Sequence, residues 1–450
     1  MTPARLLAVM AAFQAFNASA ETTAFVNVNV IPMSSERVLP GQSVIVVDGI
    51  IASIGKVQET VLPDNAVIVD GTDRFLMPGL AEMHGHVPGA SSDSLDRVMS
   101  LYSVNGVTTV RGMLGQSSHL TLREHILAGD VTGPRLITSG PSLNGNSVSG
   151  PDDAERRVRE QHSAGYDFLK IHPGLTLVEF SAIAETANDL NMPFAGHVPE
   201  DVGVRNALLA GIATIDHLDG YMESLVIPHD DPSGGFGGFF GLFLANHVDE
   251  SLIGEIVSAT RAAGVWNVPT QTLFEHVTSP ENPDEMRNWP EMKYMPRATV
   301  ERWVSYKNDL RNDASYDPNV AEKAISIRRK LIAELHEAGA GLLLGSDSPQ
   351  IFNVPGFAIH RELKLLVASG LSPYEALRTG TVSPARYFGE AESIGTVDVG
   401  KVADLILLDA NPLIDIDNSR RVHGVMLRGH WISQQDIAST LARLEQAAQN

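Results

Sequence analysis

Two histidines one residue apart, His84 and His86, close the apolar stretch Phe75 to Val87 (FLMPGLAEMHGHV). The Pro78-Gly79 pair breaks that stretch into two short strands, the second ending in His84-Gly85-His86. Side chains two apart in a strand share a face. Two imidazoles on one rigid element make half of a metal site. The alternative is one buried and one surface histidine with no metal, and the spacing alone does not decide.

Other apolar runs also end in residues able to do chemistry. Lys170 lies within YDFLKIH, His197 follows FAG, His217 follows TID, and Asp347 follows LGS. Each has a structural alternative. A lysine can snorkel, a histidine can be a hydrogen-bonded core residue, and an aspartate can cap the next segment. Their recurrence at five strand ends favours a shared site. The chain has no cysteine, so a metal would have to use His, Asp, Glu or a modified Lys.

The elements that would carry these residues are eight apolar runs. They are Gly79 to His84, Val107 to Val110, Arg135 to Thr138, Phe168 to Ile171, Pro193 to Gly196, Ala213 to Asp216, Val265 to Thr270 and Gly341 to Gly345. Amphipathic stretches of helical length separate most of them, such as Leu177 to Leu190 and Ala321 to Ala338. The alternation predicts an α/β fold, a (β/α)8 TIM barrel, whose strand ends converge on one site. A doubly wound sheet would usually carry a Gly-rich phosphate loop after an early strand, and the chain has none. Short β runs fill Thr22 to Val69, with Asp48-Gly49 as a hairpin turn, and return in Val402 to Asp409 and Val422 to Ile432. They predict a small antiparallel unit, a β-sandwich built from both ends of the chain, with the barrel inserted between them. The expected division is 1–20 leader, 21–74 sandwich, 75–393 barrel, and 394–450 sandwich plus a C-terminal helix. The Gly/Phe-rich stretch 233–241 reads as a mobile loop or lid. The insert 275–319, with Trp289 and Trp303, should pack over the barrel mouth.

Composition narrows the partners. The 450 residues are 43% hydrophobic and carry a formal charge of -21, which argues against nucleic acid and anionic membranes. Arg5, the apolar run Leu6 to Phe16 and Ala18-Ser19-Ala20 fit a secretory leader cleaved near Ala20/Glu21; a buried N-terminal helix is the alternative. That run is too short to span a bilayer. The expectation is a secreted or periplasmic protein without membrane insertion, acting on a small-molecule substrate, with a homo-oligomer left open.

Taken together, PGLAEMHGHV, FLKIH, AGHVP, IDHL and GSD resemble the motifs of the amidohydrolase superfamily, in its imidazolonepropionase-like and prolidase-like metal-dependent branch. The resemblance runs from Thr22 to about Ile432. It departs at Arg111-Gly112, where such members often carry Arg-Asp, and in a shorter interval between Lys170 and His197. It implies two divalent metals, zinc first, with manganese, cobalt or iron also accepted. One would sit on His84, His86, a carbamylated Lys170 and Asp347, the other on the modified Lys170, His197 and His217. A neutral buried amine can add carbon dioxide, and the carbamate offers two oxygens. Two cations would acidify a shared water, and Asp347 would carry its proton to the leaving nitrogen. The implied activity is cleavage of amide or peptide bonds in dipeptides, including Xaa-Pro, or in N-acyl amino acids. A second reading keeps the site and takes lactones, cyclic amides or phosphotriesters. A third is a binding protein that kept the barrel, against which the intact ligand set argues. Expected substrate contacts are His172, two residues after Lys170; Tyr221, four after His217, as a donor to an oxyanion; and Arg111, to a substrate carboxylate or equally a core acid. His119, His125 and His162 read as helix-surface residues.

Overall fold

The structure is a computed structural model describing residues 22–89, 93–227 and 237–449. The leader over 1–20 and residues 233–236 of the expected lid lie outside the described residues.

The first strands, β1 (Thr22–Val30), β2 (Leu39–Val47), β3 (Ile50–Lys56), β4 (Val67–Asp70) and β5 (Phe75–Pro78), join the last, β14 (Leu405–Leu408), β15 (Val422–Leu427) and β16 (His430–Ile432), in one eight-stranded sheet. Its order is β16-β15-β14-β5-β1-β2-β3, with β4 also against β1. The two ends of the chain thus meet, through the antiparallel pairing of β14 with β5. The Asp48-Gly49 turn forms as expected, with φ of 48° and 78° at its two central residues. The sheet is mixed rather than antiparallel throughout, because β4 and β5 both run parallel to β1. Phe75–Pro78 belongs to this sheet, so the Pro78-Gly79 break is where the chain leaves it. Phe25, Val44, Leu76, Leu405 and Met426 belong to its apolar core.

Eight further strands follow, all paired in parallel. β6 (Leu80–Gly85), β7 (Val107–Gly112) and β8 (Arg135–Thr138) form one sheet. β9 (Leu169–Ile171), β10 (Phe194–Gly196), β11 (Thr214–Asp216), β12 (Trp266–Val268) and β13 (Gly341–Leu342) form another. Each of the eight apolar runs read above contains one of these strands or overlaps it. Isolated parallel bridges, Ser139 to Phe168 and Gly85 to Ser348, span the two gaps between the sheets. Helices connect successive strands, as short parallel strands require. Leu177–Asp189 starts in a reciprocal cap between Thr176 and Glu179. Pro318–Glu337 begins with proline in its first turn, after an Asp317 cap. Their apolar faces, with Phe180, Ile183, Ile327 and Leu331, enter the main core. Among the described residues no helix is long and apolar enough to cross a membrane.

The expected insert is helical, with Gln271–Thr278, Pro283–Met286 and Arg297–Asn312 as its α-helices. Trp289 and Trp303 both pack on Phe352, at 6.2 and 6.1 Å between ring centroids. Phe352 lies just beyond Asp347, so the insert is pinned beside the ends of the parallel strands.

Candidate metal centre

β6 delivers His84 and His86 side by side, with ring centroids 5.6 Å apart. Asp347 comes from the segment after β13, which hydrogen-bonds along β6. Met83 N donates to Leu344 O at 2.8 Å, and Asp347 N donates to His84 O at 2.8 Å. That close approach needs glycine at 345, where a Cβ would lie 2.9 Å from His84 N and 2.5 Å from Val268 Cγ1. Glu82, buried beneath, accepts from His84 N and Ser346 N at 3.0 and 2.8 Å. The result puts His86 Nε2 2.6 Å and His84 Nε2 3.7 Å from Asp347 Oδ1. Ligand atoms of His84, His86 and Asp347 all lie within 4.8 Å of one another.

β9 to β11 bring the other half. Lys170 is fully buried and pairs in register with Ala195. Gly196, at φ +126°, leaves room for it, since a Cβ there would meet Ile171 O at 2.5 Å and Lys170 Cδ at 2.9 Å. The His197 and His217 rings lie 4.6 Å apart, and His217 lies 4.4 Å from His84, so the imidazoles form a continuous wall. Each of these three rings has one nitrogen placed against a protein oxygen. His84 Nδ1 is 2.9 Å from Asp216 Oδ2, His197 Nδ1 2.9 Å from Asp219 Oδ2, and His217 Nδ1 2.9 Å from Thr270 Oγ1. The remaining nitrogen of each ring is left as a ligand atom, the arrangement that orients metal-binding histidines. His217, Thr270 and Asp347 hold left-handed backbones, with φ of 64°, 44° and 59°. Such strain costs about 1–3 kcal/mol per residue and gathers at functional sites. Arg328 helps to hold it. This buried guanidinium donates to His217 O at 2.7 Å, Pro269 O at 3.1 Å and Gln271 Oε1 at 3.1 Å.

Burial sets the charges. It holds the His84 and His217 imidazoles well below the usual histidine range, and His197 at about 3, with the Lys170 charge acting in the same direction. All three rings are therefore neutral donors at pH 7. Burial also lowers the Lys170 ammonium to about 8, against the pull of Asp216 and Asp347. Its Nζ has no hydrogen-bond partner among the described residues. Asp216 stays below the usual carboxylate range although burial pushes it up, because Arg111, Lys170 and His217 outweigh that push. Burial raises Asp219 to about 7 and Glu82 to about 8.

His84, His86, His197, His217 and Asp347 line one cavity of about 240 Å3, and Lys170 sits buried behind it. His172 lines the same cavity, its ring 4.8 Å from His197. Two expected substrate contacts do not reach it. Tyr221 is fully buried, and its hydroxyl donates to Asn267 Oδ1 at 2.8 Å and lies 2.9 Å from Thr260 Oγ1. The residue starts a short helix, Tyr221–Ser224, that turns its ring into the core. Arg111 takes the second of its two readings. It is buried, donates to both oxygens of Asp216 at 3.1 and 3.2 Å and to Met83 O at 2.6 Å, and supports the site from beneath. His119 is also corrected, being fully buried with Nδ1 3.3 Å from Thr138 Oγ1 and Nε2 3.1 Å from Pro88 O. His125 is exposed and pairs with Asp130. Asp216, Asp219, Thr270 and Arg328 escaped sequence reasoning. For the two aspartates a signal existed, since they flank His217 at neighbouring positions.

The profile of the amidohydrolase family matches residues 75–432. Many solved structures share the fold, among them the three that follow. A Bifidobacterium longum protein assigned as a prolidase is 24% identical, with TM-score 0.69 over 94% of this chain and 99% of that one. A Xaa-Pro dipeptidase with bound methionine is 20% identical, with TM-score 0.65 over 92% of this chain and 100% of that one. A bottromycin amidohydrolase is 22% identical, with TM-score 0.72 over 95% of this chain and 90% of that one.

Proposed function

Because the chain belongs to the amidohydrolase family of hydrolases, we propose that it cleaves the amide bond of a small substrate at a two-metal centre. Dipeptides, Xaa-Pro among them, and N-acyl amino acids are the first substrate classes. The observation that carries this is Lys170: a buried amine without a partner, set among neutral imidazoles and Asp347. Burial disfavours an ammonium there, and Asp216 and Asp347 offset only part of that cost. Conversion of that amine to a carbamate would supply two ligand oxygens, whose negative charge two bound cations would offset. The donor set of histidine nitrogens, a carboxylate and carbamate oxygens suits zinc, and also manganese, cobalt or iron. His84, His86, carbamylated Lys170 and Asp347 would hold one ion, and the carbamate, His197 and His217 the other. When bound, the pair would polarise a carbonyl and acidify water at neutral pH.

The protein's own groups then divide the work. Asp216, Asp219 and Thr270 hold the rings of His84, His197 and His217 in orientation. Asp347, on the cavity wall beside His86, accepts the proton of the attacking water and returns it to the leaving nitrogen. His172, on the cavity wall, contacts the substrate beside the reacting carbonyl. The proposal includes closure of the two parallel sheets into one eight-stranded (β/α)8 barrel, with the terminal sheet folded as a small sandwich. It also includes export behind a cleaved leader of residues 1–20. The alternative substrates, lactones, cyclic amides and phosphotriesters, form a separate panel for the same metal-loaded protein. Turnover confined to that panel would replace the amide reading. Asp347→Asn should lower kcat/KM about 10²–10⁴-fold on the preferred panel with an unchanged circular dichroism spectrum. Undiminished turnover would remove Asp347 from the proton path.

A further inference from the structure

The cavity has two unlike walls. The strand ends supply histidines and Asp347. The loops after β11, β12 and β13, with the helical insert, supply Phe239, Phe240, Leu273, Tyr306 and Ile351, together with the uncharged amide of Gln350. Phe240 stacks on His217 with ring centroids 4.8 Å apart and planes 12° apart, and lies 5.9 Å from His197. Its backbone is left-handed, at φ 47°, a costly conformation for a phenylalanine, so the ring is held over the histidines by construction. Phe239 packs against it at 4.5 Å and against Phe274 at 6.3 Å. Tyr306, 45% exposed, stands at the rim.

No lysine or arginine is among the described residues lining the cavity, and residues 90–92 and 228–236 contain none. The nearby guanidiniums are committed elsewhere, Arg111 to Asp216 and Arg328 to backbone carbonyls. A carboxylate pressed against the phenylalanines would lose its hydration without gaining a counter-charge. An aromatic or branched apolar group would instead bury surface on both sides. At about 240 Å3 the cavity lies below the usual range for drug-sized ligands, which limits such a group to about one ring.

We infer that the substrate carries an uncharged apolar or aromatic group of about phenyl size beside its scissile amide, seated on Phe239, Phe240, Leu273 and Ile351. The inference rests on the amide reading above and selects within it. N-acyl compounds with a phenylacetyl-like acyl group fit; amides with a carboxylate at that position do not.

The test uses three hydroxamates that share one metal-chelating head and differ in the tail: acetohydroxamate, phenylacetohydroxamate and succinic monohydroxamate. Their affinities for the zinc-loaded protein are measured by calorimetry. The phenylacetyl tail should bind at least about tenfold tighter than the acetyl one, and the succinyl tail more weakly than the acetyl one. Phe239→Ala and Ile351→Ala should each shrink the phenylacetyl-to-acetyl ratio about threefold or more. Equal affinities, or tightest binding by the succinyl tail, would overturn the inference. Amide turnover alongside such a flat or inverted series leaves the amide reading standing and removes this inference alone. Binding by none of the three overturns the metal reading and the inference with it.

Discussion

Lys170 and Lys307 have no exposed surface, and they are buried in opposite ways. Burial lowers both ammonium groups, Lys170 to about 8 and Lys307 to about 7. Lys307 is anchored: its Nζ donates to His276 O at 2.7 Å and Ser279 Oγ at 3.0 Å, tying the insert helix to the one after β12. Lys170 has no such partner among the described residues. Equal burial therefore does not mean an equal role. Buried polar groups are almost always hydrogen-bonded, so the satisfied lysine reads as architecture and the unsatisfied one as chemistry. The largest expected effect follows directly. Lys170→Ala should cut kcat/KM by about 10³-fold or more and lower metal content from about two ions per chain, as measured by elemental analysis on carbonate-grown protein. A content of one ion in both wild type and variant would dismantle the two-metal proposal.

That contrast was only half visible in the sequence. The strand-end positions of Lys170, His197, His217 and Asp347 could be read because short parallel strands appear as apolar runs, and a period of two places His84 beside His86. The Asp48-Gly49 turn was readable for an equally local reason. Partner choice was not, because it is settled between elements far apart in sequence. Nothing near Lys307 announces that it meets His276 and Ser279. Nothing near Arg111 decides between a substrate and Asp216. Sequence proximity of Tyr221 to His217 does not place it on the cavity, because the helix it starts points its ring the other way. His119 was assigned to a surface, although the helix that carries it lies against β8 and offers Thr138 as a partner.

A third buried cation stands between the two lysines in kind. Arg328 is hydrogen-bonded, like Lys307, but two of its partners are the carbonyls of His217 and Pro269, at the ends of two strands that build the site. Its ring contact is also specific, with the guanidinium carbon 4.2 Å above the centre of Phe274. It should therefore act through His217, as a positioning residue. Arg328→Met is expected to weaken zinc retention and lower kcat/KM, each about 10–100-fold, with chelator competition as the readout that a purely structural role would leave alone. Arg328→Lys, which cannot supply the same fork of donors, should recover only part of the loss. Zinc affinity equal to wild type in Arg328→Met would place Arg328 with the architectural cations.

Lys307 should show the smallest effect on chemistry and a distinct one on stability. Lys307→Met leaves His276 O and the Ser279 hydroxyl without their donor, at a cost of about 1–3 kcal/mol, read as a lower denaturant midpoint. Metal content should be unchanged. The pH dependence has a definite sign. The folded-state pKa of Lys307 is depressed to about 7, against about 10.4 for an unfolded lysine. Between those values the unfolded chain binds a proton that the native chain has released, so native stability rises with pH across that window. Below about pH 7 both states are protonated and the contribution is flat. The stability gap between wild type and Lys307→Met should accordingly widen from pH 7 to pH 9.5 in paired urea titrations. Other groups that titrate in that range, Lys170 included, are common to both proteins and cancel in the difference. A gap that narrows with rising pH would mean that Lys307 is held as a charged partner, and its contrast with Lys170 would then rest on hydrogen bonding alone.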